Sequence, residues 1–263
     1  MYASTVEKTN IVELHAFPFL VKLATTPEEM EGLYRLRYQA FAMETNNEQL
    51  MNDAGMEQDS FDHWCDHLIV KDQLSGEVVG TYRLLPGSRV TFSKGFYSQS
   101  EFDFTFATWD IHRVLELGRS CVAPAYRNGR VIQLLWEGIA LYLSVYPHDH
   151  LIGCASMEVP NVHDLDTIIT WMKQKKTINN RYGIQPLTKN RIHRLTEVPV
   201  LFSDREMFRK LPPLLKGYLS LGAQIATEPA YDPIFDTIDF LIVMPVDALN
   251  SRFMRRFAIP VEK

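Results

Sequence analysis

The sequence predicts one α/β domain. Short apolar runs with strand character alternate with amphipathic helical stretches, which is the pattern of a sheet flanked by helices. The stretch Val114–Tyr146 reads as strand, basic loop, then helix. At 263 residues the chain can bury a sizeable core, and no internal repeat, low-complexity tract or linker divides it. The expectation is therefore a single domain over 1–263 with a short N-terminal extension.

The elements follow in order. Phe19 to Ala24 is a short strand. Thr26-Pro27-Glu28-Glu29 opens a helix with a hydroxyl cap, proline in the first turn and acids at the positive dipole end. That helix is predicted through Phe41, with Met30, Leu33, Tyr34, Arg37, Tyr38 and Phe41 on one face. Residues 44–62 are too polar for a core element and form a long loop of the kind that covers a site. His67–Lys71 and Val78–Leu85, joined through Ser75-Gly76-Glu77, read as an antiparallel hairpin ended by Pro86-Gly87. Residues 94–106 are aromatic-rich and suit a short helix or an apolar wall. Leu151–Met157 reads as a buried strand and Asp164–Lys176 as a helix. A helix between Asp204 and Leu221 must break or begin at Pro212-Pro213. Ile225–Glu228 and Thr237–Met244 close the chain as strands.

Composition limits the function. A net charge of −5 argues against a general nucleic-acid binder. No run of about 18 apolar residues offers a membrane span. The N-terminus shows no basic start followed by an apolar run, so no secretory signal is visible. Cys65, Cys121 and Cys154 are odd in number and sit in apolar company, as reduced structural thiols of a cytoplasmic protein would. His63 and His67 have helical metal-ligand spacing, but His67 opens an apolar strand and no further ligand cluster accompanies them. The expectation is no metal and no bound cofactor.

Two charges, Glu116 and Arg119, interrupt the apolar run 114–122. Charges there must be paired or used. Residues three apart on a regular strand face opposite sides, so both reach one site only across a bulge, which Gly118 would permit. Such a bulge turns N–H groups outward, where they can polarise a carbonyl oxygen. A structural ion pair is the alternative, and spacing leaves both open. The loop 124–130 ends at a helix N-terminus, whose free N–H groups and dipole suit an anion.

Order and motifs together carry a resemblance. Arg37 and Phe41, Asp59-Ser60-Phe61-Asp62, Tyr82-Arg83-Leu84-Leu85-Pro86 and Glu116-Leu117-Gly118-Arg119 resemble the signature of acyl-homoserine-lactone synthases and their relatives on the GNAT N-acyltransferase fold, an α/β fold with a mixed central sheet flanked by helices. The runs FDHWCDHLIV, GTYRLL, FYSQSEFDF, ELGRSCVAPAYR, LLWEGIALYL, IGCAS, LPPLLKGYLSLGA and FDTIDFLIV are similar to the hemolysin-like L-ornithine Nα-acyltransferases, over roughly 20–257. The resemblance implies transfer of a fatty acyl group, 3-hydroxylated in that family, from acyl carrier protein to the α-amine of an amino acid, first of all ornithine, giving lyso-ornithine lipid. In its terms Glu116 is the base, N–H groups at Gly118 form the oxyanion site, and Arg119 completes the catalytic set. Arg37, Phe41, Asp59, Asp62, Arg83, Phe96 and Phe104 would hold the acceptor and chain. Asp59, Asp62, Arg83, Glu116 and Arg119 are expected in one charged network.

The loop departs from the coenzyme A pattern Arg/Gln-x-x-Gly-x-Gly/Ala. Arg130 and Ile132 occupy its small-residue positions, which hinders close approach of a pyrophosphate to the backbone. A carrier protein's phosphopantetheine has one phosphate, for which Arg127 and Arg130 are the candidates. From Lys173 to Arg194 there are seven Lys/Arg and no Asp/Glu. Lys173, Lys175 and Lys176 are accordingly expected to meet an acidic carrier protein, although anionic headgroups would serve as well. Arg252 to Phe257 mixes cations and apolar groups and suits peripheral contact with the inner face of a membrane. Two rivals stand beside this reading. One is an N-acyl amino acid synthase with another acceptor, such as glycine, or a soluble signal as product. The other is a non-catalytic carrier- or membrane-binding module.

Overall fold

The computed structural model describes residues 12–93, 95–105, 107–158, 162–192, 195–247 and 249. The expected basic contact at Arg194 and the membrane contact at 252–257 lie outside the described residues. In chain order the strands are β1 (Glu13–Ala16), β2 (Phe19–Leu23), β3 (Asp66–Asp72), β4 (Val78–Pro86), β5 (Phe102–Asp103), β6 (Val114–Val122), β7 (His150–Glu158), β8 (Gln185–Pro186), β9 (Gln224–Ile225), β10 (Ala230–Asp232) and β11 (Thr237–Pro245). The helices are α1 (Pro27–Tyr38), α2 (Val90–Ser93), α3 (Arg130–Val145), α4 (Val162–Gln174), α5 (Asp204–Lys210) and α6 (Pro213–Ser220). They divide between two compact units. One holds the described residues up to Leu84 with Gly118–Pro147; the other holds Leu85–Leu117 and the described residues from His148 on. β4 and β6 each run from one unit into the other.

In the first unit the strand order is β1-β2-β3-β4 with β6 beside β4. β1, β2, β3 and β4 pair antiparallel, and the predicted hairpin is β3–β4, with a bulge between Val70 and Lys71. α1 starts as its sequence dictates. Thr26 Oγ1 accepts from Glu29 N at 3.3 Å and the Glu29 carboxylate reaches back to the Thr26 N–H, closing a capping box. The helix does not continue regularly to Phe41. It ends at Tyr38 and widens into a π turn, Gln39–Met43, which takes Phe41 off the face expected for it.

α3 packs its apolar stripe on this sheet. Of the residues whose helical spacing predicts this stripe, Val131, Leu134, Leu135, Ile139 and Tyr142 are buried and Leu141 is half-buried. A glycine in mid-helix costs about 1 kcal/mol relative to alanine. Gly138 is there because a Cβ would lie 2.8 Å from Val21 Cγ1 and 2.9 Å from Leu68 Cδ2. The helix therefore approaches the strands more closely than an alanine would permit.

In the second unit β6 pairs parallel with β7 over Val114–Glu116, and β7 pairs antiparallel with β11 along its whole length. β10 and β9 both pair with β11, and β5 with β8 forms a separate two-stranded sheet. The sheets thus combine parallel and antiparallel pairing. Gly153 marks a close approach of β7 to β6: a Cβ there would lie 2.2 Å from the Leu117 carbonyl oxygen. The predicted 204–221 helix breaks at the prolines into α5 and α6. Of the strand expected over 225–228 only Ile225 is strand, as the end of β9, and β10 begins at Ala230.

Candidate functional site

The first unit closes six charges into one ring. Arg37, from the last turn of α1, donates from Nε to Glu57 and grips Asp62 with both terminal nitrogens, at 2.7 and 3.1 Å. Arg83 on β4 donates to Asp62 at 3.1 Å and to Asp59 at 2.7 Å. Arg119 on β6 donates to Asp59 at 2.9 Å and to Glu57 at 3.0 Å. Every arginine bridges two carboxylates and every carboxylate two arginines. The side chains of Asp59 and Arg119 are 24% and 10% exposed, so the ring opens to solvent at that edge alone. The three acids come from the long polar loop, so the ring fastens residues 57–62 to α1, β4 and β6.

The electrostatics follow from burial and pairing. Burial alone would raise the Asp62 carboxyl; the Arg37 and Arg83 charges outweigh it and hold the group well below the usual carboxylate range. Asp59 is lowered in the same way, burial being offset by Arg83 and Arg119. Burial opposes charge on Arg37 too, but Glu57 and Asp62 raise it. His67, against Asp62, is pushed down by burial, and Tyr34 is pushed up to about 12 by burial and then by Asp62.

Glu116, in the second unit, is held by a turn. Its Oε2 accepts from Tyr97 N at 2.7 Å, and its Oε1 accepts from Ser98 N at 2.8 Å and Ser98 Oγ at 2.6 Å. Around it gathers negative charge. Ligand atoms of Glu101, Cys154 and Asp239 all lie within 4.8 Å of one another. Burial, and then the carboxylates of Glu101, Asp239, Glu116 and Asp232, push the Cys154 thiol well above its ordinary value. Tyr97 Oη also reaches Asp232, at 3.4 Å. Phe96 and Phe104 stack at 6.3 Å between centroids, continuing through Trp109 to Tyr182. These rings are the apolar wall expected of 94–106.

Several predicted residues sit in unexpected settings. The strained backbone is at Arg119, with φ 50°, and not at Gly118, where an added Cβ would meet only Arg83 Nε at an ordinary 3.8 Å. Two carboxylates grip the Arg119 guanidinium and offset the cost of that left-handed conformation. The expected network gains Arg37 and Glu57, while Glu116 has its own setting beside Tyr97 and Ser98. Phe41 is half-buried in the π turn. Arg127 grips Glu44 with both terminal nitrogens, at 2.7 and 2.9 Å, and donates from Nε to Val122 O. Arg130 lies 3.6 Å from Glu137 and is half-exposed at the start of α3. Lys173 pairs with Glu228 and Lys175 with Asp204, so local acids from elsewhere in the chain offset part of the basic run; Lys176 is exposed.

Glu57 and Ser98 escaped the sequence reading. Glu57 was hidden because Glu116 had been assigned as the third acid of the network; only the structure shows that Glu57 takes that place. For Ser98 the signal was weak, namely that a carboxylate in an apolar strand needs donors from a neighbouring loop.

Residues 36–137 match the family model described as the acetyltransferase (GNAT) domain. An L-ornithine N(alpha)-acyltransferase of Agrobacterium fabrum is 34% identical over 255 residues, spanning 92% of this chain and 86% of that protein. One from Rhizobium meliloti is 32% identical over 261 residues, spanning 91% and 86%. Among solved structures, the CoA-dependent acyl-homoserine lactone synthase BjaI superposes with a TM-score of 0.52 at 15% identity, covering 89% of this chain and 84% of that one. It shares the fold. Sheet, helices and matched domain define a GNAT-type N-acyltransferase. Within that class the chain belongs to the L-ornithine N(alpha)-acyltransferase family.

The ring makes a pH-dependent contribution to stability. Asp62 and Asp59 have folded values below the ordinary 3.8, so their contribution is complete above that pH and is lost as pH falls through the depressed folded values. Asp62→Asn leaves Arg37 and Arg83 short of a buried counter-charge. Denaturant unfolding at pH 7 should show a loss of about 3–5 kcal/mol. Between pH 5 and pH 2 the variant should lose less further stability than the wild type. Equal stabilities at pH 7 would contradict the ring's role.

Proposed function

We propose that the enzyme moves a fatty acyl group from the thioester of acyl carrier protein to the α-amine of ornithine, giving lyso-ornithine lipid. The observation that carries the acceptor is the negative surroundings of Glu116. Glu101, Asp239 and Asp232 make them suited to an acceptor with a second ammonium group. An acceptor of this kind also fits the relatives' name. Such surroundings keep the side-chain ammonium charged and therefore non-nucleophilic. α-Amines release their proton near pH 7.7–8.0 and side-chain amines near about 10.4, which favours attack by the α-amine.

The chemistry needs no covalent enzyme intermediate. The neutral α-nitrogen attacks the thioester carbonyl carbon as Glu116 takes its proton. The tetrahedral oxyanion collapses, the C–S bond breaks, and the leaving thiolate is protonated, leaving an amide and a free thiol. Tyr97 and Ser98 fix the Glu116 carboxylate for this step. Backbone N–H groups at Gly118 and Arg119 are the proposed oxyanion donors. In the ring most charges are spent on one another, so its main role is to support. Asp59 and Arg119, paired within the ring but at its partly exposed edge, are the members proposed to meet a substrate. The carrier as donor rests on the start of α3, where Arg130 and Ile132 replace small residues. Arg130 is the proposed partner of the single phosphate.

Glu116→Gln keeps an oxygen for Ser98 but turns a donor toward the Tyr97 N–H. Turnover should fall by about 10²–10⁴ while circular dichroism and thermal unfolding stay near wild type. A protein that no longer folds would make Glu116 structural, and full activity would place the base elsewhere.

Donor and acceptor are separable in one assay. With the same chain on both donors, acyl carrier protein should give the higher initial rate with ornithine. An equal or faster rate from acyl-coenzyme A would overturn the donor. A higher kcat/KM for glycine than for ornithine would overturn the acceptor.

A further inference from the structure

The segment 196–204 is strapped along α4. Thr196 N donates to Asp166 Oδ1 at 3.0 Å, Val198 N to Thr170 Oγ1 at 3.2 Å, and Trp171 Nε1 to Asp204 Oδ1 at 3.0 Å. Lys175 adds a 2.7 Å ion pair to Asp204, and Lys210 of α5 a 2.9 Å ion pair to Asp164. Between these anchors the chain presents Leu201, 88% exposed, and Phe202, 46% exposed. Leucine and phenylalanine prefer burial by about 1.5–3 kcal/mol each. A loose loop could fold such side chains back, but here bonds on both sides keep them in water.

Cations accompany the pair. Lys210 Nζ stands 5.1 Å from the Phe202 ring centroid. Arg205 and Arg209, one helical turn apart on α5, are exposed, and neither makes a salt bridge among the described residues. Glu206 is turned into the helix start, where its carboxylate accepts from Ser203 N at 2.8 Å and Ser203 Oγ at 2.6 Å. An apolar pair rimmed by long cationic side chains is the arrangement that enters the headgroup region of an anionic bilayer, apolar groups inward and cations at the phosphates.

We propose that Leu201 and Phe202, with Arg205, Arg209 and Lys210, form the surface by which this enzyme sits on an anionic membrane. The inference deepens the acyltransferase reading, because the proposed product is itself a lipid and would be released at its destination. Its own observable is vesicle binding, which requires no turnover.

The experiment is co-sedimentation of the full chain with vesicles of phosphatidylcholine alone and of phosphatidylcholine with phosphatidylglycerol. The wild type should bind the mixed vesicles at least tenfold more tightly. Leu201→Ser/Phe202→Ser should lose about tenfold or more of that affinity. Arg205→Gln/Arg209→Gln should weaken binding at low salt and flatten its salt dependence. Acyl transfer between soluble donor and ornithine without vesicles should be unchanged in both variants. Three results would overturn the proposal: no preference for anionic vesicles, undiminished binding by the serine variant, or a raised KM for acyl carrier protein without vesicles. The last would assign the surface to the carrier. A failure of the enzyme reading would instead show as missing transfer while vesicle binding persists.

Discussion

A ring of three arginines and three carboxylates is the constraint on which the first unit depends. Each ion has left water, at a cost of several kcal/mol, and is repaid only because two partners of opposite sign close on it. The ring works as a whole: removing any member strands two neighbours. It converts a polar loop, which has no apolar reason to lie anywhere, into a fixed part of the structure. It also holds Arg119 in a left-handed backbone conformation on a strand. That ring is buried at Arg37, Glu57, Asp62 and Arg83 and open at Asp59 and Arg119.

The second unit handles charge in the opposite way. Backbone and hydroxyl donors of Tyr97 and Ser98 hold Glu116, and burial followed by the nearby carboxylates pushes the Cys154 thiol up. A ring of paired opposite charges gives rigidity, whereas neutral donors place a single carboxylate. In the proposed reading the carboxylates near Glu116 favour the charged side-chain ammonium of a dibasic amino acid while the other amine reacts.

Much of this was legible in the sequence, for identifiable reasons. The apolar stripe of α3, the β3–β4 hairpin, the Thr26 cap and the break at Pro212-Pro213 are local, and local chemistry decides them. Asp59, Asp62, Arg83 and Arg119 were expected together and are together, with Arg37 and Glu57 joining them. Glu116 was expected in that company, and its turn-bound setting could not be read from spacing because the donors lie 18 and 19 residues away in sequence. The π turn after Tyr38 and the left-handed Arg119 were missed because both depend on tertiary contacts. Arg119 adopts a conformation that propensity would give to Gly118, since the ring rewards the arginine for it. The basic run 173–194 read as a bare patch, but Glu228 and Asp204, remote in sequence, pair with two of its lysines.

The account's central claim is an amide bond between a fatty acyl chain and the α-nitrogen of a dibasic amino acid. Its most direct test is mass spectrometry of lipids extracted from a host that makes no aminolipid of its own and expresses this chain. The account predicts a new species whose fragmentation yields ornithine as headgroup with one amide-linked acyl chain. A headgroup of glycine, or an acyl chain on the side-chain nitrogen, would contradict it.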